Sequence, residues 1–579
     1  MSSDFLTSFQ SLPISTLLLT LLLSPAVAGV QFEQCLQEVK EGRWGEVGGT
    51  DNHGRPLSVA DATAITYELC IKACGSGSEA FQWSVFSQQF SSWLLPWLAL
   101  VSQLPFGSND KLDNLVSMFL TVGSPILAAY SLALTVLNGR WIARRFSSYT
   151  YPNTRFAVQI LSSLQQSPLK IATDNSLLAS LIVLPENDEW WHELVVWLDY
   201  THSWSISAVT SIAWVIIAYV FTVVDSFTSG VTTSVNANGE GVGSLWLWLV
   251  PIVVGWLQIS PKCDANRVHQ AVGRANTMAY VATPSQGPVL ASSLSKQRAI
   301  SLVQGDDDPL RHDETCTVPI YNYARFLPWV QAVEDVSDAF RAASERAYLH
   351  RSVNPDVSWE KEDKFFAGPH PRNRTGNRMQ VDAYCLPLGE PSSSRRSPWG
   401  PNVLSRVIVA SAIALGLQWG TTGAATIVAW FTPTTGLGCR SGAYILYGAV
   451  STVVWMLLVL SSFLSHYALT TPRATSRLSA CFARHLSIAF RRLGKVLATC
   501  NAVWIVVSCM FQFSNFFDRC YCNSSVLGRG TLSYNVIDFI SADIKGMKGA
   551  WIGGVALAAT SATVFVIFVN LFINPRLPD

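Results

Sequence analysis

The chain has 579 residues, with 40 Lys and Arg against 39 Asp and Glu, for a net charge of +1. Charged residues make up only 14%, beside 21 Trp and a mean hydropathy of +0.27, whereas an ordinary soluble domain carries about 25%. This excludes a set of soluble domains, and the even charge balance offers neither a basic surface for nucleic acid nor an acidic solvating tail.

Stretches 115–137, 204–224, 242–259, 407–431, 443–465, 496–517 and 549–573 contain no Asp, Glu, Lys or Arg. Each is about as long as a helix needs to cross roughly 30 Å of hydrocarbon. The expected fold is all-α, a polytopic helical membrane bundle of about seven spans plus one re-entrant or interfacial segment, with the lipid bilayer as its partner.

In chain order, Thr16–Leu23 is a short apolar run followed by Ala26-Val27-Ala28, a small-x-small cleavage pattern. Residues 1–28 therefore read as a signal peptide, although Asp4 precedes the run and no Lys or Arg does. Residues 29–79 form a small extracytoplasmic region with Cys35, Cys70 and Cys74. Cys70 and Cys74 lie one helical turn apart, ahead of Gly75 as C-cap. Together with Cys520 and Cys522 they read as a disulfide staple in preference to a metal site, because paired histidines are missing.

The first membrane region covers 80–260. Its opening segment, 80–109, is uncharged but holds Gln82, Gln88, Gln89, Gln103, Pro96 and Pro105. Such residues are costly against lipid and break helices, so this segment is expected to be re-entrant. The alternative leaves 80–109 as a span and makes 242–259, with Pro251, the non-spanning piece. Residues 261–406 form a large cytosolic loop, partly disordered, with a helical pattern from Phe326 to Tyr348 and a linker at Ser392–Pro398 open to phosphorylation. It is the place for a cytosolic protein partner. The second membrane region holds the last four spans, within 407–573.

Sidedness follows from the loops. Basic residues flank membrane helices on the cytoplasmic side. Loop 472–495 has Arg473, Arg477, Arg484, Arg491, Arg492 and Lys495 with no acid, and Arg140, Arg144 and Arg145 follow the 115–137 stretch. This puts 138–203, 260–406 and 466–495 inside, with 225–241, 432–442 and 518–548 outside. The outside set of cysteines is then Cys35, Cys70, Cys74, Cys439, Cys520 and Cys522, an even number with fifteen possible pairings. Of two glycosylation sequons, Asn523 lies outside and is expected to be used. Asn373 lies inside and is expected to stay bare.

Catalytic motifs are missing: no phosphate loop, no H-E-x-x-H and no G-x-S-x-G occurs, and the nine histidines lack metal-ligand spacing. No catalytic residue, metal or cofactor is expected. The candidate polar membrane site is Gln88, Gln89, Gln418, Thr421, Thr422 and Asp225, because glycines and threonines around Gln418 suit an unwound helix at a binding site. Packing is the simpler use of that pattern. Ala550, Gly554, Ala558 and Ala562 recur every four residues and suit a close helix-packing seam.

Residues 86–107 (FSQQFSSWLLPWLALVSQLPFG), Gly438-Cys-Arg-Ser-Gly442 and Phe516-Phe-Asp-Arg-Cys-Tyr-Cys522 resemble a group of fungal multi-pass membrane proteins. That resemblance implies a polytopic fold and carries no activity. The expected function is a transporter-like protein or sensor in a membrane of the secretory pathway, such as the plasma membrane. A scaffold acting through 261–406, or an enzyme with an unrecognised site, is the alternative.

Overall fold

The computed structural model describes residues 29–106, 111–200, 204–228, 239–284, 287–303, 312–361, 368–387, 399–470 and 477–578. The expected signal peptide, residues 1–28, lies outside the described residues. The chain is an all-α membrane bundle: seven helices are long and apolar enough to cross a bilayer, Pro125–Phe146, Ile206–Val224, Gly241–Ile259, Val403–Phe431, Cys439–Thr470, Leu478–Phe513 and Ser541–Phe572.

A small unit caps one end, here called the outer end. It contains α1 (Phe32–Lys40), β1 (Gly49–Thr50), β2 (Ala64–Thr66) and α2 (Tyr67–Cys74). Thr66 caps α2 by accepting from the Leu69 amide, and Gly75 ends it at φ +85°, which glycine adopts without strain. The three-stranded antiparallel sheet has the order β1-β2-β7, and β7 (Tyr534–Val536) comes from the far end of the chain. Phe32, Leu36, Val39, Val59, Ile65, Leu69, Cys70 and Cys520 form a core of their own there.

The opposite, inner end carries a larger unit built from residues 147–200 and 260–402. Here β3 (Leu169–Ile171) pairs antiparallel with β6 (Ile300–Leu302), and β4 (Tyr280–Val281) with β5 (Val289–Leu290). Its core is continuous with the bundle: Trp190, Trp191, Tyr321 and Phe340 belong to the same apolar cluster as Ile126, Leu417 and Phe565. The described part of 261–406 is thus packed structure rather than a loose loop. The helix expected over 326–348 begins earlier and is mostly buried.

The remaining long helices are α3 (Lys111–Gly123), α4 (Pro125–Phe146), α5 (Ile206–Thr228), α6 (Gly239–Trp246) and α7 (Leu249–Ile259) of the first membrane region, α8 (Asn322–Tyr348) of the inner unit, and α9 (Val403–Phe431), α10 (Cys439–Thr470), α11 (Arg477–Phe513) and α12 (Ser541–Phe572) of the second. The seam on α12 packs as its small residues dictate: a Cβ on Gly554 would stand 2.8 Å from Val428 Cγ2 and 3.2 Å from the Ala424 carbonyl of α9.

The first membrane region opens on a continuous helical segment. Residues 83–101 form a helical rod of Trp83–Gln89, a π-turn Phe90–Leu94 and Leu95–Val101. It starts at the outer end, where Asn515 donates to the Ala80 carbonyl, and finishes at the inner end, where Gln103 meets Ser207 at the start of α5. Pro96 does not break it. The missing N–H and ring clash of a proline are absorbed by the π-turn just before it. Trp93 and Trp97 pack inward, Leu95 and Leu98 face outward, and the polar Gln82 and Gln88 lie exposed toward the outer end. The described part of 80–109 is thus a rod over residues 83–101, and the 115–137 stretch is two helices, Lys111–Gly123 and Pro125–Phe146, broken at Ser124.

Candidate functional site

The turn is Gly123-Ser124-Pro125. Pro125 cannot donate to a continuing ladder, and Ser124 ends α3 by starting α4, its hydroxyl accepting from the Leu127 amide at 3.3 Å. Both arms lead back to the inner end. On α3, Asp113 lies 4.0 Å from His312, and on α4, Ser131 donates to the Pro319 carbonyl while Thr135 accepts from Asn322 at 2.8 Å. The apex rests midway along α10 and α11. Asn501 donates to the Gly123 carbonyl (2.8 Å), Tyr447 to the Val122 carbonyl (2.7 Å) and Ser124 to the Ser451 carbonyl (2.9 Å). The approach is close enough that a Cβ on Gly123 would sit 1.9 Å from the Ala498 carbonyl oxygen. Irregular backbone at this depth survives only when protein satisfies it, as here.

Gln418 joins this network. It is fully buried, its Nε2 donating to Thr422 (2.9 Å) and its Oε1 accepting from Ser451 (3.3 Å), which in turn meets Ser124. Thr421 turns its hydroxyl onto the Leu417 carbonyl at 2.9 Å. The helix around Gln418 is regular, so the unwinding expected there is replaced by a continuous α9 with local threonine back-bonding. Gln88 and Gln89 lie on the 83–101 rod, toward the outer end, and share no hydrogen bond with Gln418 among the described residues. The side chain of Asp225 lies outside the described residues.

Below the hairpin, at the inner boundary, the short helix His312–Thr315 feeds an ionic layer. Asp313, 1% exposed, pairs with Lys495 of α11 and accepts from Tyr323 at 2.6 Å. Glu314 meets Arg491 at 3.5 Å and Ser465 of α10 at 3.3 Å. Burial pulls the Asp313 carboxyl up, but His312, Lys495 and Arg491 outweigh it and hold it well below the usual carboxylate range. Contact with Asp313 and Cys316 pushes the His312 imidazole up to about 10. Arg325, 2% exposed, donates Nη2 to the Val318 carbonyl (2.8 Å) and to Asn322 (2.7 Å). Its Nε and Nη1 have no partner among the described residues, and burial brings the guanidinium down to about 10. The sequence reading missed this layer. The signal was His312-x-x-x-Cys316, one helical turn apart, whose ligand atoms lie within 4.8 Å of each other and of Asp113.

The cysteine expectation is resolved by the fold. Cys70 bonds to Cys520 and Cys439 to Cys522, while Cys35 and Cys74 remain free thiols. Asn523 sits half-buried beside these bonds at the outer end. Asn373 is 1% exposed, donating to the Glu360 carbonyl and accepting from the Glu360 amide. Comparison with known proteins finds no matching family model, no matching curated protein and no matching solved structure.

Proposed function

We propose that this multi-pass membrane protein is transporter-like, with the α3–α4 hairpin as the moving part beside its pathway. The outer end, with its two disulfides, faces the lumen or exterior of the secretory system, and the inner unit faces the cytosol. Residues 1–28 would then be a signal peptide and Asn523 the glycosylated site. The observation that carries the reading is the hairpin itself. Its apex places the N-terminus of α4 halfway between the ends of the bundle, among Ser124, Ser451, Gln418, Tyr447 and Asn501. Broken helices meeting polar groups at mid-depth are a recurrent way to build a transport site. The Asp313–Lys495 and Glu314–Arg491 pairs beneath it act as the closed inner gate, and Arg325 is the buried cation beside that gate.

Cysteine accessibility tests this. In a variant with the exposed Cys481 and Cys500 replaced by Ser, Ser124→Cys is treated with a charged methanethiosulfonate in proteoliposomes. Modification from the inner side, accelerated when Asp313→Asn removes the gate pair, is the expected result. A folded variant that stays unmodified from both sides makes the hairpin a static packing element and ends the transport reading.

A further inference from the structure

The outer unit brings Cys70, Cys74 and Cys520 within 4.8 Å of one another with Cys35 beside Ala73, and of these four only Cys70 and Cys520 are bonded. Cys35 lies on α1, its sulfur 4.0 Å from the carbonyl of Ala73, the residue before Cys74 at the end of α2. Cys74 in turn lies within 4.8 Å of the sulfurs of both Cys70 and Cys520. Exposure divides the group. Cys70 and Cys520 are 0% exposed, whereas Cys35 and Cys74 are both half-buried.

We infer that Cys35 and Cys74 are a reversible dithiol–disulfide couple that guards the buried Cys70–Cys520 bond. The oxidant is a disulfide of the exchanging class, either a protein oxidoreductase or a small-molecule disulfide. Cys35 is the entry point: burial raises both thiols, but Cys74 much further, so Cys35 supplies thiolate more readily. The Cys35 thiolate attacks one sulfur of the donor disulfide, that S–S bond breaks and one donor thiolate leaves. Cys74, deprotonated, attacks the Cys35 sulfur of the mixed disulfide, and the second donor thiolate departs. Two protons pass to the departing thiolates and two electrons to the donor disulfide, leaving Cys35–Cys74 closed.

Closure matters for the neighbouring bond. An untied Cys74 thiol stands within 4.8 Å of both sulfurs of Cys70–Cys520 and attacks them whenever it loses its proton. Attack on Cys520 would give Cys74–Cys520 and a Cys70 thiol with no outside reagent. Tied to Cys35, Cys74 cannot do this, and the pairing that joins β2's end of the chain to β7's is kept. The inference is independent of the transport reading.

The test uses full-length protein in nanodiscs, from a preparation in which Cys439–Cys522 is shown intact, alkylated with N-ethylmaleimide before digestion and mass spectrometry. Expected are a linked Cys35/Cys74 peptide, then joint labelling of both at dithiothreitol concentrations about tenfold lower than those that open Cys70–Cys520. In Cys35→Ser, linked Cys74–Cys520 peptide appears beside Cys70–Cys520. In the Cys35→Ser, Cys74→Ser double variant only Cys70–Cys520 is found, which also shows that the unit still folds. Maleimide on Cys35 and Cys74 of unreduced protein overturns the couple, as does about one zinc per chain that is lost in Cys74→Ser. Absence of any Cys74–Cys520 peptide in Cys35→Ser overturns the guarding role.

Discussion

The two ends of the molecule are held by different physics. At the outer end, a small unit with its own apolar core is fastened by bonds from Cys70 to Cys520 and from Cys439 to Cys522. At the inner end the larger unit shares one continuous core with the bundle, and its cysteines Cys263, Cys316 and Cys385 form no disulfide. There the fastening is packing, ion pairs and buried arginine: Arg406 of α9 donates to Asn138 and stacks over Trp141 at 4.0 Å. A unit too small to bury much surface gains most from covalent ties, and thiols that stay free in a packed core suit a reducing side.

Four measurements press on that contrast, the largest effect first. Asp313→Ala leaves Lys495 without its buried partner, and loss of one partner of such a pair costs about 3–5 kcal/mol. Thermal unfolding in detergent should show the inner unit and the bundle melting early together. If the inner unit melts alone, the shared core is not what couples them. Replacing Cys70 and Cys520 together by Ala should cost about 2–4 kcal/mol, read as faster proteolysis of the outer unit with the bundle's melting unchanged. Gly123→Ala forces the apex away from Ala498 and should cost about 1–3 kcal/mol through overpacking, seen as a lowered melting temperature. An unchanged temperature would mean that the hairpin does not press on α11.

The smallest effect is a difference in pH window. Burial, reinforced by Asp518, pushes the Glu79 carboxyl at the outer end up to about 7 from an ordinary 4.5. Its proton is therefore held more tightly in the folded unit. The stability it contributes is full below about 4.5 and lost as pH rises through about 7. His312 at the inner end is raised from 6.5 to about 10, so its contribution is full below 6.5 and lost as pH rises through about 10. Hydrogen exchange should show the outer unit loosening between pH 4.5 and 7 while the inner layer holds, and Glu79→Gln should flatten the outer profile. Identical profiles at both ends would erase the distinction.

Much of this was legible in the residues. Uncharged runs reveal which segments enter a membrane, and the six cysteines expected outside do gather at one end. Depth was not legible. The 115–137 run reads as one helix because apolarity reports burial in lipid or protein alike, and only Ser124-Pro125 hints at a turn. In 83–101 the effect of Pro96 was not legible, since a proline is a helix breaker in isolation but is accommodated here by a π-turn next to packed tryptophans. In 261–406 the charges that keep α8 soluble are spent on internal contacts, such as Arg145 to Glu334 at 2.9 Å, and a sequence does not show where a charge will be spent. His312 and Cys316 were passed over for a related reason: their partner Asp113 is about 200 positions away, roughly the span of a whole domain.

The pairing of β2 with β7 has a consequence for how the protein is made. The bond between Cys70 and Cys520 spans a sequence separation of 450. At a synthesis rate of roughly 5–20 residues per second, the first half of the sheet waits on the order of 20–90 s for its last strand. During that interval β2 shows an open edge and Cys70 has Cys74 and Cys35 as its nearest candidates. The first sulfur bonds of a newborn chain are thus provisional until the last loop between helices arrives.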